Sequence, residues 1–316
     1  MKVDVAIAGG GPAASAAAIA LRRHGLSCAI VERGDGGGEK VGESLAPAAK
    51  PLLDALGLDL ARDGHLPCHG HRSVWGSDTP VEMPFDLSPY GHGWHLDRRK
   101  FEERLAELAG VPRLMNTRVI DVEPFWRITT DRETIVADFL IDATGRRAAI
   151  ARRLGARIVR DDTLLAHVFF IDSATDDSYT QIEATEDGWW YRAPVPGGRT
   201  VAMFVGAPAS RRPDRRRPAA VLDASSARLD RVAGPGWLAI GDAATALDPL
   251  SSHGLGNALF TGMRAADAIA TGKFDDYEEA VDKMWNVYVS RRRELYASER
   301  RWPSSPFWSR RYTAPS

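Results

Sequence analysis

A glycine-rich bend between an apolar strand and an alanine-rich helix constrains this chain more than any other feature. Residues 3–8 (VDVAIA) form a short apolar run with β-branched side chains, which predicts a buried parallel strand. Residues 9–14 (GGGPAA) follow, and a proline at this point suits the first turn of a helix. Residues 13–24 predict that helix, Gly25 ends it, and residues 27–31 predict a second buried strand. These elements form a complete βαβ unit, so we expect an α/β fold containing a Rossmann-like domain.

The same bend has the spacing of a dinucleotide-binding turn, G-x-G-x-x-A. Gly9 permits the tight turn, Gly11 lets the backbone approach a pyrophosphate with no Cβ in the way, and Ala14 keeps the helix close to the strand. A diphosphate would then lie at the positive end of the helix. Glu32 closes the second strand, where an acidic side chain can bind a ribose hydroxyl. The predicted nucleotide-binding residues of this unit are Gly9, Gly11, Pro12, Ala13, Ala14, Glu32 and Arg33. At this point NAD and FAD are both compatible with the pattern.

Composition narrows the functional classes. The 316 residues carry a net charge of −1 at pH 7, which gives no support for a nucleic-acid partner or an anionic membrane surface. The only cysteines are Cys28 and Cys68, too few for a disulfide framework or a thiolate metal site, and no metal is predicted. The longest apolar stretch, residues 13–21, is too short to span a bilayer. We therefore expect a cytoplasmic protein with no membrane partner.

Elements further along the chain predict two interleaved domains. Helices are predicted at residues 50–56, 98–108, 256–270 and 275–300, and strands at 118–122, 126–130, 135–141 and 237–240. Four more strands are predicted at 164–171, 179–184, 189–193 and 200–205. We predict a discontinuous nucleotide-binding domain of residues 1–65, 92–155 and 234–300, a β-sheet substrate domain of 66–91 and 156–233, and a carboxyl-terminal tail of 301–316. Residues 210–218 are a polar linker rich in arginine and proline.

A second motif, in the carboxyl-terminal half, favours FAD over NAD. Gly241 and Asp242 come directly after the strand predicted at 237–240, and residues 248–257 (DPLSSHGLGN) then lead into a helix. An aspartate there can accept a hydrogen bond from a ribityl hydroxyl group. Backbone N–H groups at the start of the helix can stabilise negative charge on a reduced isoalloxazine ring. The predicted cofactor contacts of this half are Gly241, Asp242, Gly254, Leu255, Gly256 and Asn257.

The two motifs together resemble the FAD-dependent aromatic hydroxylase superfamily, whose second flavin signature is this Gly-Asp pair. Arg98, in the pattern R-x-x-F-E-x-x-L, resembles the flavin-contacting arginine of that superfamily, and a surface arginine on a helix is the alternative. The resemblance implies FAD as cofactor. It also implies a Rossmann-like FAD-binding domain of the GR2 type interleaved with the β-sheet substrate domain.

Three stretches resemble a narrower branch, which contains flavin-dependent tryptophan halogenases and halide-independent relatives. They are residues 42–45 (GESL), 188–194 (GWWYRAP) and 248–252 (DPLSS). The chain looks more like the halide-independent relatives. These include flavoprotein maturases that hydroxylate a peptidyl tryptophan while tryptophylquinone cofactors form in oxidases. The arginine-rich carboxyl end is also similar to these maturases. The resemblance implies a monooxygenase that hydroxylates an indole ring, with a protein client (a partner oxidase) or a small aromatic molecule as substrate.

The chain departs from the halogenases themselves at the positions that handle halide. Halogenases resemble one another in a lysine that handles hypohalous acid and in a glutamate after the Gly-Asp signature. By position the glutamate's place falls on Ser251, and the region of the lysine, residues 71–74 (HRSV), holds no lysine. Their W-x-W-x-I-P string appears here only as W-x-Y-x-A-P, from Trp189 to Pro194. We therefore do not expect halogenation.

His253 and Glu43 are the candidate catalytic residues. His253 lies on the loop expected to face the flavin ring, where it can donate a proton, and a structural loop histidine is the alternative. Glu43 can act as an acid or base or can shape the flavin loop, in which Ser44 is a predicted cofactor contact.

Four further residues are candidates for binding substrate. His71 and Arg72 lie on a probable strand whose face can line a substrate cleft, although a solvated strand face is the plainer interpretation. Trp189 and Tyr191 can stack on an aromatic ring or simply belong to the core.

The source of electrons and two rival functions stay open. No second G-x-G-x-x-G unit is present, so NAD(P)H would bind transiently or a separate flavin reductase would supply electrons. The first rival is an enzyme that acts on a small molecule, either a flavin-dependent reductase of isoprenoid double bonds or a halogenase-like enzyme. The second is a non-catalytic flavoprotein that holds a client during assembly.

Overall fold

The computed structural model describes residues 1–123, 126–173, 175–210, 212 and 216–312. Its helices are α1 (Pro12–Arg23), α2 (Lys50–Leu56), α3 (Arg98–Ala109), α4 (Ala149–Arg153), α5 (Gly254–Thr271), α6 (Phe274–Ser298) and α7 (Pro306–Tyr312). Its strands are β1 (Lys2–Ala8), β2 (Cys28–Val31), β3 (Ser44–Leu45), β4 (Leu66–Cys68), β5 (Gly70–Val74), β6 (Val81–Pro84), β7 (Gly93–His95), β8 (Arg113–Leu114), β9 (Val119–Glu123), β10 (Arg127–Thr130), β11 (Thr134–Asp142), β12 (Ile158–Arg160), β13 (Leu165–Asp172), β14 (Tyr179–Thr185), β15 (Gly188–Val195), β16 (Arg199–Gly206), β17 (Ala220–Asp223), β18 (Ala227–Leu229), β19 (Ala233–Gly234), β20 (Trp237–Ala239) and β21 (Thr245–Ala246).

The first sheet is built around the predicted βαβ unit. Strand β1 lies between β2 and β11, and all three are parallel, with β8 beyond β2 and β20 beyond β11. Strands β9 and β10 form an antiparallel extension of β11. Helices α1 and α5 pack so closely that a Cβ on Gly262 would lie 2.4 Å from the carbonyl oxygen of Ala13. The small residues noted in α1 therefore serve close helix packing beside the sheet.

The second sheet contains the β-rich middle of the chain. Its strand order is β17-β13-β16-β15-β14-β5-β6, antiparallel except for the pairing of β14 with β5. Successive side chains of a strand point to opposite faces. Trp189 and Tyr191 of β15 therefore share one face, whereas Trp190 lies on the other. We call the face with Trp189 and Tyr191 the inner face, because Tyr191 lines the cavity described below.

The carboxyl-terminal helices close the inner face of this sheet. Helix α6 buries Tyr277, Val281, Trp285, Tyr288, Arg292 and Tyr296, which are spaced three or four residues apart as a single helix face requires. Of these, Tyr296 belongs to the core of the second sheet, whereas Tyr277 and Val281 pack with α1 and α5. Helix α7, which the sequence analysis did not predict, inserts Phe307 and Trp308 into the same core. Of the polar linker 210–218, residues 211 and 213–215 lie outside the described part of the chain.

Charge pairs account for much of the arginine-rich carboxyl end. Arg292 is buried and pairs with Asp161 and Asp162, and Arg301 pairs with Glu299 and Asp78. Among the described helices, none is both long enough and apolar enough to cross a membrane.

Candidate functional site

A cavity of about 330 Å³ lies where the first sheet, the inner face of the second sheet and the start of α5 meet. Of the predicted site residues, those that line it are Gly11, Pro12, Ala13, Glu43, Ser44, Arg98, Tyr191, Asp242, Gly254 and Leu255. The two motifs, more than 200 residues apart in sequence, thus contribute to one cavity.

Gly9 and Gly11 are glycines for different physical reasons. Gly9 has a φ of +107°, and a Cβ there would lie 2.1 Å from the carbonyl oxygen of Ala143, so the fold itself requires a glycine. Gly11 has a φ of −76°, which any residue adopts, and among the described residues other than its chain neighbours no atom lies within 4 Å of the place a Cβ would take. Because Gly11 lines the cavity, the space beside it is available to a ligand at the amino end of α1.

Glu32 lies beside the bend but outside the cavity lining. Its carboxylate accepts hydrogen bonds from the backbone N–H groups of Gly10 and Gly34, both at 2.6 Å. Arg113, which the sequence analysis did not single out, donates to the Gly10 carbonyl at 3.0 Å and to Ser15 at 3.2 Å. Arg33 is exposed, and Ala14 is buried against the sheet. Glu32 and Arg113 therefore hold the bend in shape from the side on which the second strand ends.

The second motif places an aspartate on the opposite wall. Gly241 has a φ of +56°, and a Cβ there would lie 2.9 Å from the Cβ of Ala13, so this turn can approach α1 only as glycine. Asp242 then reaches the cavity, with a carboxylate oxygen 3.4 Å from Nε of Arg146. Arg146 was missed in the sequence analysis. It is held by the carbonyl oxygens of Ser225 and Leu247. Burial raises the pKa of Asp242, and the charge of Arg146 opposes this effect.

The start of α5 forms a third wall. Gly254 and Leu255 line the cavity, and no protein atom lies within 4 Å of a Cβ built on Gly254 or Gly256. The first N–H groups of a helix have no partner within the helix, so this end can receive negative charge. Asn257 is buried and donates to the Thr245 carbonyl and hydroxyl, so its side chain fastens α5 to β21. Its contribution is to the position of the helix end.

Arg98 lies at the cavity edge and is fastened to the loop before β3. It donates to the carbonyl oxygens of Val41 and Gly42 and to Glu102 at 2.5 Å, and Lys40 also pairs with Glu102. Gly42 has a φ of +88°, and a Cβ on it would lie 2.6 Å from the Arg98 guanidinium group. The loop and Arg98 thus form one unit. This unit determines the position of Glu43.

Glu43 is buried at the cavity, with a neutral form favoured by its surroundings. Its Oε2 accepts from the Gly42 N–H at 2.9 Å, and its Oε1 has no hydrogen-bond partner among the described residues. Burial raises the pKa of Glu43, opposed by the neighbouring Tyr191 hydroxyl and by Arg98. Burial and the charge of Glu43 likewise raise the pKa of Tyr191, whose hydroxyl lies 2.7 Å from that of Ser44. This cluster can hold a proton at the cavity.

The predicted pair His71 and Arg72 is divided between the two faces of the second sheet. His71 is in register with Thr180 on β14 and shares the inner face with it. Arg72 lies on the outer face, where it pairs with Glu82 at 2.8 Å and Asp177 at 2.6 Å. The structure therefore brings His71 towards the site and leaves Arg72 apart from it.

His253 lies near enough to His71 for a charge on its ring to affect the pKa of His71. It follows Ser252 and precedes Gly254, both of which line the cavity, and it keeps contact with solvent. Burial lowers the pKa of His71, and a positive charge on His253 lowers it further. Burial also lowers the pKa of His253, so both rings are neutral bases near pH 7.

Trp189 belongs to the core behind the cavity. Its ring is fully buried, and its Nε1 donates to the Tyr296 hydroxyl at 3.0 Å, which in turn donates to Asp248 at 2.7 Å. Asp248 also accepts from the N–H of Leu250 at 2.9 Å. Trp189 therefore supports the loop that carries His253, and Tyr191, two residues on, is the member of this strand that reaches the cavity.

The residues present fit FAD. Gly11 and Gly254 leave open space at two helix ends that favour negative charge, which suits a diphosphate and a reduced ring. Asp242 offers a carboxylate to a sugar-alcohol chain between them. Within the described residues, no group of three or more histidine, cysteine, aspartate or glutamate side chains is placed to hold a metal ion.

A buried histidine next to this site makes the stability of the fold sensitive to acid. His95 is fully buried, and burial lowers its pKa from 6.5 to about 4. Between these pH values the unfolded chain binds a proton at this ring and the folded chain does not, so stability falls as the pH falls. The expected loss is about 3 kcal/mol by pH 4. His95→Gln should remove this part of the pH dependence in urea unfolding measured at several pH values, and parallel curves for the two proteins would contradict the assignment.

Comparisons with known proteins find relatives along almost the whole chain. The sequence profile of the family described as tryptophan halogenase matches residues 4–63 and 78–315. LodB of Marinomonas mediterranea, named as an FAD-dependent oxidoreductase, is 27% identical over 98% of this chain and 96% of its own. A menaquinone reductase of Mycolicibacterium smegmatis is 29% identical over 92% of this chain and 82% of its own.

The fold is also similar to that of a solved structure. The peptidyl tryptophan dihydroxylase QhpG superposes with a TM-score of 0.81 at 22% identity, covering 100% of this chain and 80% of its own. The predicted α/β fold of the halogenase-like superfamily and the class of FAD-dependent oxidoreductase are confirmed.

Proposed function

This chain belongs to the tryptophan halogenase family, and from that premise we propose that it is an FAD-dependent monooxygenase that hydroxylates an indole ring. The proposed substrate is a tryptophan side chain of a partner protein, an oxidase that acquires a quinone cofactor. The fold shared with QhpG supports this choice. Electrons come from NAD(P)H or from a separate flavin reductase.

The proposal rests mainly on which side chains this chain has near the cavity. The halogenases resemble one another in a lysine that handles hypohalous acid in this region. The six lysines of this chain are Lys2, Lys40, Lys50, Lys100, Lys273 and Lys283, and none is among the cavity-lining residues. Lys40 and Lys50, the nearest in sequence to the flavin loop, pair with Glu102 and Asp54. The candidate bases are instead His253, which lies between two cavity-lining residues, and His71, and the pKa of each is lowered. Such a site suits direct transfer of oxygen to a ring, with a base to receive the ring proton.

In the proposed reaction, parts of this chain hold the cofactor, exclude water and accept a proton. When bound and reduced, FAD supplies with O₂ the oxygen atom that is delivered to the ring. Gly11, Asp242 and the end of α5 hold the cofactor, and the two sheets exclude water from the reacting atoms. The sequence suggested His253 as a proton donor, but its lowered pKa favours the unprotonated ring, so we assign it the opposite role: it accepts the proton that the ring carbon loses when aromaticity returns.

A second candidate function is reduction of a quinone or alkene without oxygen, favoured by the similarity to menaquinone reductase. The third, a non-catalytic assembly role, predicts binding of a client with no chemical change. These functions differ in the fate of oxygen, so one experiment separates them.

The test is mass spectrometry of a candidate client, a quinone-cofactor oxidase from the same organism, co-expressed with this chain or incubated with it, a reductant and ¹⁸O₂. Labelled oxygen on one tryptophan is expected, and omission of NAD(P)H or of added flavin reductase identifies the electron source. An unmodified client together with turnover of a free aromatic molecule would overturn the peptidyl substrate. Reduction of a quinone or alkene without label would overturn the monooxygenase.

His253→Gln is expected to lower the rate of oxygen transfer about 100-fold at pH 7, because it removes the neutral base. Binding of FAD should be unchanged, since the His253 side chain is not among the cavity-lining residues. Single-turnover kinetics on the reduced protein measures the rate, and flavin absorbance measures occupancy. His24→Gln, a change in an exposed histidine at the far end of α1, is the matched control. A His253→Gln protein as fast as the wild type would exclude His253 as the base.

A further inference from the structure

We propose that the hydroxyl groups of Tyr191, Ser44 and Thr180 form a proton relay between the cavity and the buried imidazole ring of His95. The role assigned to this relay during oxygen transfer rests on the proposed function, whereas the relay as a connected structure does not. Thr180 and His95 were not among the predicted site residues.

The relay is continuous by hydrogen-bond geometry. The Tyr191 and Ser44 hydroxyl oxygens are 2.7 Å apart, and those of Ser44 and Thr180 are 3.2 Å apart. The Thr180 hydroxyl lies 2.8 Å from Nε2 of His95. In the first two pairs either hydroxyl can donate, so the chain can be oriented in both directions. The pairing of β3 with β7 sets Ser44 opposite His95, which gives the relay a rigid frame.

The two ends of the relay are titratable groups that burial keeps neutral. Tyr191 and Ser44 line the cavity, and Glu43 lies beside them with Oε1 unpartnered among the described residues. At the other end, His95 is fully buried, and its Nδ1 has no partner among those residues. Within the described residues, the ring of His95 is therefore hydrogen-bonded through Nε2 alone, to the Thr180 hydroxyl at the end of the chain of hydroxyl groups.

One transfer moves one proton and changes no oxidation state. As a proton from the cavity reaches the Tyr191 hydroxyl, the O–H bond of Tyr191 breaks towards Ser44, each following hydroxyl accepts one proton and donates its own, and an N–H bond forms at Nε2 of His95; because burial lowers the pKa of His95, this charged state is short-lived. A proton that Tyr191 receives at the cavity restores its hydroxyl group. The return transfer runs through the same atoms. Cys68, whose sulfur lies 3.6 Å from the Thr180 hydroxyl, packs against the middle of the relay.

The first test needs only the folded protein. With ¹⁵N-labelled histidine, Tyr191→Phe is expected to shift the His95 Nε2 resonance, which His95→Gln assigns. In a Thr180→Val background the same change is expected to have no effect, because the connection is cut. Thr200→Val, a matched change in a half-buried threonine of the same sheet, should leave the coupling intact. The relay would be overturned if Tyr191→Phe did not shift the His95 resonance. It would also be overturned if the shift persisted in the Thr180→Val background.

The second test measures function. Thr180→Val should slow oxygen transfer about tenfold or more, whereas Thr180→Ser, which keeps the hydroxyl, should retain the rate. Added imidazole should restore much of the lost rate in Thr180→Val and change neither the wild type nor Thr200→Val, which a merely structural role would not produce. Equal rates for Thr180→Val and the wild type, or equal slowing by Thr180→Ser, would overturn the relay's role. If the wild type transfers no oxygen, the proposed function fails and the resonance experiment alone decides the relay.

Discussion

Gly11→Ala is expected to give a folded protein that has lost FAD. Among the described residues, the new methyl group would meet no atom within 4 Å beyond its chain neighbours, and the backbone φ of −76° suits alanine. We therefore expect no loss of folding stability. The methyl group would instead enter the space in which a diphosphate approaches the amino end of α1. Losing one or two charge-assisted hydrogen bonds there weakens binding by about 3 kcal/mol, or about 100-fold. Flavin absorbance of the purified protein and titration calorimetry measure this change.

Gly9→Ala is the matched contrast, because the same substitution two residues earlier acts on the fold. Its Cβ would lie 2.1 Å from the Ala143 carbonyl oxygen at a φ of +107°, so we expect a loss of about 3 kcal/mol or more in folding stability. Thermal unfolding of the two proteins without FAD separates the effects. A Gly11→Ala protein that binds FAD like the wild type would show that the diphosphate lies elsewhere.

Trp308→Ala is expected to destabilise the protein by about 4 kcal/mol, the usual cost of removing a large buried ring. Trp308 is fully buried, packs on Trp75 and Phe307, and donates through Nε1 to the Thr185 carbonyl at 2.8 Å. The substitution leaves both a cavity and an unpaired carbonyl. Urea unfolding measures the change in free energy.

Trp302→Ala provides the control for this prediction. Trp302 stacks on Trp308 at a centroid distance of 6.1 Å but is only half-buried, so we expect a cost of about 1–2 kcal/mol. If Trp308→Ala costs no more than Trp302→Ala, α7 does not belong to the core of the second sheet. A large cost would establish that the carboxyl end, expected to be a tail, is part of the domain that carries Tyr191.

Local patterns were sufficient for much of the fold. The bend at residues 9–14 was predicted from its spacing, and the Gly-Asp turn at 241–242 from its place after a strand and from a family resemblance; residues of both line one cavity. Helix α2 has the predicted bounds, and α1, α3, α5 and α6 differ from theirs by one or two residues. These elements depend on the period of apolar residues and on glycine and proline, which act over a few neighbouring positions. Their detection therefore needed no knowledge of the tertiary structure.

Contacts between distant segments were not predictable in this way. Arg146 and Arg113 belong to no sequence motif. Their roles depend on backbone carbonyl groups that are distant in sequence and that only the fold brings near. Helix α7 is short and has one turn of aromatic residues, which gives too little periodicity to detect. The predicted face that held both His71 and Arg72 is divided by the pleat, because consecutive residues of a strand point to opposite sides.

The sequence by itself determined the elements that we propose to bind the cofactor, because each is a local arrangement of backbone conformation and small side chains. The tertiary structure decided which groups share the cavity. The register of β14 with β5 and of β3 with β7 brings Thr180, Ser44 and His95 together, although 136 residues separate Ser44 from Thr180. Strand register is set by packing across the whole sheet, and no window of neighbouring residues contains that information.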